Sequence, residues 1–177
     1  MDILKKEELH TIEDIYALPD GERAELIDGK IYYMAPPNTK HQRLVHQLDR
    51  EIGNYIQNNH GDCEVFPAPF AVFLNENDRN YVEPDLSVIC DKDKITDRGC
   101  EGSPDWIIEI VSPASRQMDY YKKLFKYRTA GVREYWVVDP EKEYVTVYSF
   151  EKDSMDEYPF GLEIPVGIYD GFSIQIQ

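Results

Sequence analysis

The chain contains no apolar run approaching the roughly 18 residues that read as a membrane-spanning helix, so no span is expected from its 177 residues. Its amino end, MDILKKEELHTIEDI, is charged and has no apolar stretch of the signal-peptide kind, which reads as no secretion signal. Cysteine is scarce: Cys63, Cys90 and Cys100 are an odd number with no Cys-x-x-Cys spacing. That pattern predicts reduced thiols in a cytoplasmic protein rather than a disulfide frame or a zinc site. Positive charge is also short, with 19 Lys and Arg against 34 Asp and Glu and a net charge of -15. Phosphate contacts need cations, so a free-standing, high-affinity nucleic-acid binder is disfavoured. No internal repeat or low-complexity tract is present.

What remains is a globular composition, 42% hydrophobic and 12% aromatic. The length predicts one domain spanning residues 1–177, large enough to bury a real core. The few cations are unevenly spread. Between Ser115 and Arg133 lie Arg116, Lys122, Lys123, Lys126, Arg128 and Arg133 against Asp119 alone, a local excess of +5. Any polyanion contact is expected there; a solvated helix face is the competing reading.

Hydrophobic periodicity and turn residues give the order of elements. Thr11 to Leu18 reads as a short helix, with Thr11 and Asp14 as a weak capping box. AELIDGKIYYM reads as a hairpin turning at Asp28-Gly29. Glu25 lies on its first strand, where an acidic residue usually faces solvent. From Lys40 to about Asn59, Leu44, Leu48, Ile52, Tyr55 and Ile56 recur at helical spacing, and His41 falls in the first turn. Strands are expected at Cys63–Pro67, Phe70–Leu74 and from Tyr81 on, followed by a long polar loop from Asp91 to Ser103. Asp105 to Val111 is a near-continuous apolar strand of the kind buried on both faces. On the next helix, Met118, Tyr121, Leu124 and Phe125 are expected to face the core, with Asp119, Lys123 and Tyr127 on the other side. Glu134–Val138 and Tyr144–Phe150 read as further strands, and Phe172–Ile176 as a possible last one. This order predicts a mixed-sheet α/β domain.

Two carboxylates stand out because they sit inside apolar segments. Asp85 lies in YVEPDLSVIC and Glu109, 24 positions later, in DWIIEIVSP. Burying an ionised carboxylate costs several kcal/mol, about the scale for buried ions generally, unless something compensates. If the two strands pair, both acids and the backbone carbonyl of Ile110 can converge on one cation, a donor set that suits Mg²⁺. Such an ion activates water and polarises a phosphoryl oxygen. Lys123, 14 positions after Glu109, can reach back and offset transition-state charge. The bland alternative pairs Glu109 with Arg128 or Arg133 and leaves Asp119–Lys123 as a surface i, i+4 pair.

The segments ELIDGKIYYMAPP-x₃-H, EPDLSVICD, IIEIVSPAS and D-x₃-K-x₃-Y-x₃-GVREYWVVDP, in this order over roughly Glu13 to Val147, resemble the Uma2 (DUF820) family of endonucleases. That family belongs to the PD-(D/E)xK, restriction-endonuclease-like superfamily. The resemblance implies a restriction-endonuclease-like core, a central mixed β-sheet flanked by helices. It implies Pro84-Asp85 as the PD element and Glu109 as the acidic position. Val111 stands where the usual lysine would be, and Lys123 matches a lysine displaced to the following helix. Glu25 and His41 match two further polar positions. The expectation is an endonuclease using Mg²⁺ or Mn²⁺ on DNA, with Asp85, Glu109, Lys123, Glu25 and His41 as site residues and Asp85, Glu109 and Ile110 holding metal. The acidic charge implies weak unaided DNA binding and leaves room for a homo-oligomer. It also keeps open a nuclease-fold binding or regulatory module without catalysis.

Overall fold

A computed structural model describes residues 8–75 and 77–177; the stretch 1–7, part of the segment read for a secretion signal, and Glu76 in the NENDRN turn lie outside the described residues. The chain opens with helix α1 (Ile12–Tyr16), at whose start the Asp14 carboxylate accepts a hydrogen bond from the Thr11 N–H at 2.8 Å. Hairpin strands β1 (Ala24–Ile27) and β2 (Lys30–Tyr33) follow. Asp28 and Gly29 both take positive φ, 52° and 75°, as a type I′ turn requires. Helix α2 (Thr39–Asn58) is capped by Asn38, whose side chain accepts from the His41 N–H, and it buries Leu44, Leu48, Ile52 and Ile56.

The main sheet has six strands: β3 (Glu64–Pro67), β5 (Leu86–Ile89), β8 (Trp106–Ile110), β9 (Glu134–Asp139), β10 (Tyr144–Ser149) and β11 (Ser154–Pro159). Their spatial order is β11-β10-β9-β8-β5-β3; β8 and β9 run parallel and the other neighbours antiparallel. A smaller sheet joins β4 (Val72–Phe73), β6 (Ile95–Thr96) and β7 (Gly99–Glu101), and β12 (Glu163–Pro165) pairs with β13 (Ser173–Gln175). The connection expected as a loop from Asp91 to Ser103 is therefore structured, with a 3₁₀ turn at Lys92–Lys94 and two short strands. Likewise the acidic C-terminal segment, expected to hold one strand, holds three.

Strand alternation divides the core across the sheet. Trp106, Ile108, Ile110, Trp136 and Val138 pack with the apolar stripe of α2 on one face. Ile107, Val111, Tyr135 and Val137 pack with Tyr127 on the other. Among the described residues no helix is long and apolar enough to cross a membrane.

Two expectations fail here. Cys63 and Cys90 form a disulfide, leaving Cys100 as a buried free thiol. The β3–β5 register explains the pairing: Glu64 lies opposite Ile89, so the next residues outward, Cys63 and Cys90, face each other across the strands. Sequence spacing carries no information about that register. The second failure concerns the last major helix, a π-helical stretch at Met118–Lys123 continued by α3 (Leu124–Ala130) and ended by Gly131 at φ 97°. Here Asp119, Lys123 and Tyr127 are the buried row, whereas Tyr121 and Phe125 are 71% and 63% exposed. Of the expected core stripe, Met118 and Leu124 do pack against the core, half-buried, while Tyr121 and Phe125 are turned outward because the polar row has partners beneath it.

Candidate active site

Those partners lie where β5 and β8 meet. Leu86 pairs with Ile108, so Asp85, immediately ahead of β5, stands opposite Glu109 near the end of β8. The two residues interlock through the backbone. Asp85 Oδ2 accepts the Ile110 N–H at 2.7 Å, and the Asp85 N–H points at Glu109 Oε2 over 3.4 Å. Ile110 thus enters through its N–H, fixing the orientation of the Asp85 carboxylate.

Lys123 reaches into this junction from the π-helical stretch. Its Nζ is 2.9 Å from Glu109 Oε1, 2.8 Å from Glu25 Oε2 and 3.6 Å from Asp119 Oδ1, with all four side chains buried. Tyr127 adds a hydrogen bond, its hydroxyl donating to Glu109 Oε1 at 2.6 Å. Glu25, expected as a solvent-facing residue, is buried because the hairpin docks through Leu26 against Tyr81; its Oε1 accepts the Glu83 N–H at 3.0 Å. His41 comes from the first turn of α2, placing Nε2 3.1 Å from Asp85 Oδ1. The structure therefore brings Asp85, Glu109, Lys123, Glu25 and His41 into one cluster. Glu109 takes neither arginine as partner: Arg128 pairs with Asp153, and Arg133 with Asp105 and Glu151.

Charge is out of balance in this cluster. Four carboxylates, those of Glu25, Asp85, Glu109 and Asp119, surround one lysine and one histidine. Burial pushes Glu109 well above the usual carboxylate range; Lys123 opposes this, and Asp119, Asp85 and Glu25 add to it. Burial likewise raises Asp119 against the pull of Lys123. Burial alone would discharge Lys123, but Glu109, Glu25 and Asp119 outweigh it and hold the ammonium well above its ordinary pKa. His41 is raised too, its burial outweighed by the hydrogen bond and charge of Asp85.

Excess buried negative charge with hard oxygen donors is what a divalent cation such as Mg²⁺ requires. Glu109 Oε2 has, among the described residues, only the long contact to the Asp85 N–H, so it retains acceptor capacity. Among the described residues no three His, Cys, Asp or Glu side chains are grouped to hold a metal. Asp85 and Glu109 offer two carboxylates, a number compatible with an ion such as Mg²⁺ that keeps most of its waters. Asp119 and Tyr127 are members of the cluster that sequence reasoning left outside it. Their signal was the i, i+4, i+8 row with Lys123, read with the wrong face inward.

A mixed sheet flanked by helices, with acids from two adjacent strands and a lysine from the following helix, defines a restriction-endonuclease-like α/β protein. The crystal structure of a putative nuclease belonging to DUF820 from Anabaena variabilis has this fold: TM-score 0.72, 22% identity, 89% of each chain covered. The chain belongs to the Uma2 family, described as "Putative restriction endonuclease", whose profile matches residues 7–176. Two uncharacterized proteins of Synechocystis sp. are similar to it. One is 30% identical over 125 residues, covering 67% of each chain. The other is 26% identical over 133 residues, covering 75% of this chain and 68% of the relative.

Proposed function

We propose that this protein is a Mg²⁺- or Mn²⁺-dependent endonuclease that hydrolyses DNA phosphodiester bonds. One observation carries the reading: Glu109 is met within hydrogen-bond distance by the Asp85 N–H on one carboxylate oxygen and by the Lys123 ammonium on the other, the three residues coming from separate elements. Asp85 and Glu109, with the Ile110 carbonyl, are the residues that would hold the ion. When bound there, a divalent ion supplies Lewis-acid polarisation of a phosphoryl oxygen and a more acidic water.

The chain's own residues do the rest. Asp85 is held rigid by the Ile110 N–H on one oxygen and by His41 on the other. Lys123 keeps its proton, so it presents a fixed positive charge beside Glu109 against which a developing phosphorane-like charge is offset. Glu25 and Asp119 hold the lysine in place from behind. Incubation with plasmid and oligonucleotide DNA and Mg²⁺ or Mn²⁺ tests the proposal. The wild type is expected to cleave, and Asp85→Ala and Lys123→Ala to lose cleavage entirely. Activity surviving in both variants would overturn the site.

A second reading, a nuclease-fold binding or regulatory module, is favoured by the fate of the basic segment. Arg116, Lys126, Arg128 and Arg133 are each paired with carboxylates of the same chain, and Lys123 is buried. Metal-induced thermal stabilisation separates the two: a melting-temperature rise lost in Asp85→Asn favours the enzyme, and no rise favours the module.

A further inference from the structure

The inverted helix leaves an unexplained surface. A helix that turns a lysine and an aspartate inward would ordinarily present polar residues to solvent. Here, beside exposed polar residues, Tyr121 and Phe125, spaced i, i+4, are large aromatic side chains left 71% and 63% exposed. Lys122, Lys126 and Arg128 are interleaved with them along the same thirteen residues, Met118 to Ala130. Among the described residues Lys122 is held by no carboxylate: it donates to the Tyr32 hydroxyl at 2.7 Å, with its ammonium 4.8 Å from that ring's centroid. On the other flank Arg128 lies over the Phe150 ring at 5.9 Å, and its partner Asp153 is well exposed. Exposed ion pairs of that kind contribute little, so a phosphate can displace the carboxylate.

We propose that this outward face is a stacking platform for the unpaired bases of a single-stranded nucleic acid. The proposal rests on the nucleic-acid reading above and narrows it to the form of substrate. Aromatic rings stack on any base, and interleaved cations follow the backbone. In a duplex the base faces are already stacked on one another, so this surface discriminates in favour of single strands, bubbles or frayed ends. Local charge favours a polyanion over a second copy of this acidic chain: the rings are flanked by Lys122, which has no carboxylate partner among the described residues, and by Arg128, whose partner Asp153 is exposed and exchangeable. Since the same helix delivers Lys123 to Glu109, a strand held on its outer face is tethered to the element that completes the site.

Fluorescence anisotropy tests this with a labelled single-stranded oligodeoxynucleotide and the matching duplex, at low salt with EDTA to prevent cleavage. Wild type is expected to bind the single strand more tightly than the duplex. Phe125→Ala and Tyr121→Ala should each weaken single-strand binding about 10-fold, and the double variant about 100-fold, with duplex binding little changed. Phe125→Trp should bind at least as well as wild type. Unchanged melting temperatures, expected for such exposed positions, exclude misfolding. Equal single-strand affinity in wild type and double variant would overturn the platform while leaving the nuclease reading intact. Equal losses for single strand and duplex would also overturn it, pointing to a phosphate-contact surface. A wild-type dimer in sedimentation velocity that the double variant dissociates would show a copy–copy interface instead. No binding of either nucleic acid by wild type would overturn the platform and the DNA reading together.

Discussion

The two faces of the main sheet are built from the same strands and do opposite things. On the face covered by α2, Trp106 and Trp136 meet edge to face at 4.9 Å amid Leu44, Leu48, Ile52 and Val138. On the other face, Ile107, Tyr135 and Val137 give way at one end to Glu109, Lys123, Asp119 and Glu25. The first face stabilises the fold by burying apolar area, at roughly 25 cal/mol per Å². The second buries several charges whose desolvation offsets much of that gain. That concentration of buried charge is why the proposed site is assigned to the second face.

Paired substitutions break the comparison most forcefully. Lys123→Met leaves Glu25, Glu109 and Asp119 buried without their cation. It is expected to abolish cleavage and to destabilise the fold by about 3–5 kcal/mol, the range for breaking a buried ion pair from one side. Leu48→Ala, on the apolar face, should cost a similar ~2–5 kcal/mol through its cavity while leaving cleavage per folded molecule unchanged. Urea titration and a cleavage assay on both variants check this; equal activity losses would mean the two faces are not functionally distinct.

A smaller effect is expected at Arg116, which forks onto the buried Asp139 carboxylate and also reaches Glu141. Burial pushes Asp139 upward, but the Arg116 bonds and the Lys142 and Glu141 amides outweigh it and hold its pKa below the ordinary value. A depressed carboxylate contributes stability above its unfolded pKa of about 3.9, lost as pH falls through the folded pKa. Arg116→Met should therefore cost about 2 kcal/mol at pH 7, below the range for a fully buried pair because Arg116 is 29% exposed. The melting-temperature gap to wild type should narrow below about pH 4. A gap independent of pH would show that Arg116 acts by packing alone.

Glu109→Gln is expected to move the two assays in opposite directions. Because the folded-state pKa of Glu109 is raised, its ionised form is disfavoured by folding, and the wild type gains stability as pH falls through that pKa. A neutral isostere should thus raise stability at pH 7–8 by about 1–2 kcal/mol, a typical trade-off at a functional position, and eliminate cleavage. The gain should vanish at low pH, where wild-type Glu109 is itself protonated. Loss of stability at all pH values would mean that the ionised Glu109 is a net structural asset.

Much of this contrast was legible in the sequence. Apolar periodicity located α2 and its stripe, and the odd acids Asp85 and Glu109 were visible because their neighbours are Val, Ile, Leu and Trp. Glu25 and His41 came through family resemblance, since nothing in a hairpin strand or a helix first turn says which way a polar side chain points. The last helix was misread for a physical reason. Hydrophobic patterning assumes that aromatic residues seek the core, and a cage of carboxylates on another strand and a hairpin, set by tertiary packing, reversed that preference. Register escaped for the same reason: the Cys63–Cys90 contact depends on how β3 pairs with β5.

Tyr127 gives the finest test of the charged face. Its row-mates Asp119 and Lys123 are charged, yet its ring packs with Tyr135 at 4.9 Å while its hydroxyl donates to Glu109. Tyr127→Phe removes one donor and leaves the packing, so Glu109 keeps Lys123 but loses its second bond on Oε1. The expected cost is about 1 kcal/mol, the net contribution of one hydrogen bond, read as a shift in urea midpoint without a change in slope. Tyr135→Phe is the control. Its hydroxyl donates to the backbone carbonyl of Asp119 at 2.9 Å and, among the described residues, bonds neither a carboxylate nor the Lys123 ammonium, so it should cost a similar amount of stability and leave cleavage unaffected. Tyr127→Phe should in addition lower the cleavage rate, because Glu109 is then less firmly positioned. Equal cleavage by the two variants would restrict Tyr127 to a structural role and draw the boundary of the site at Lys123.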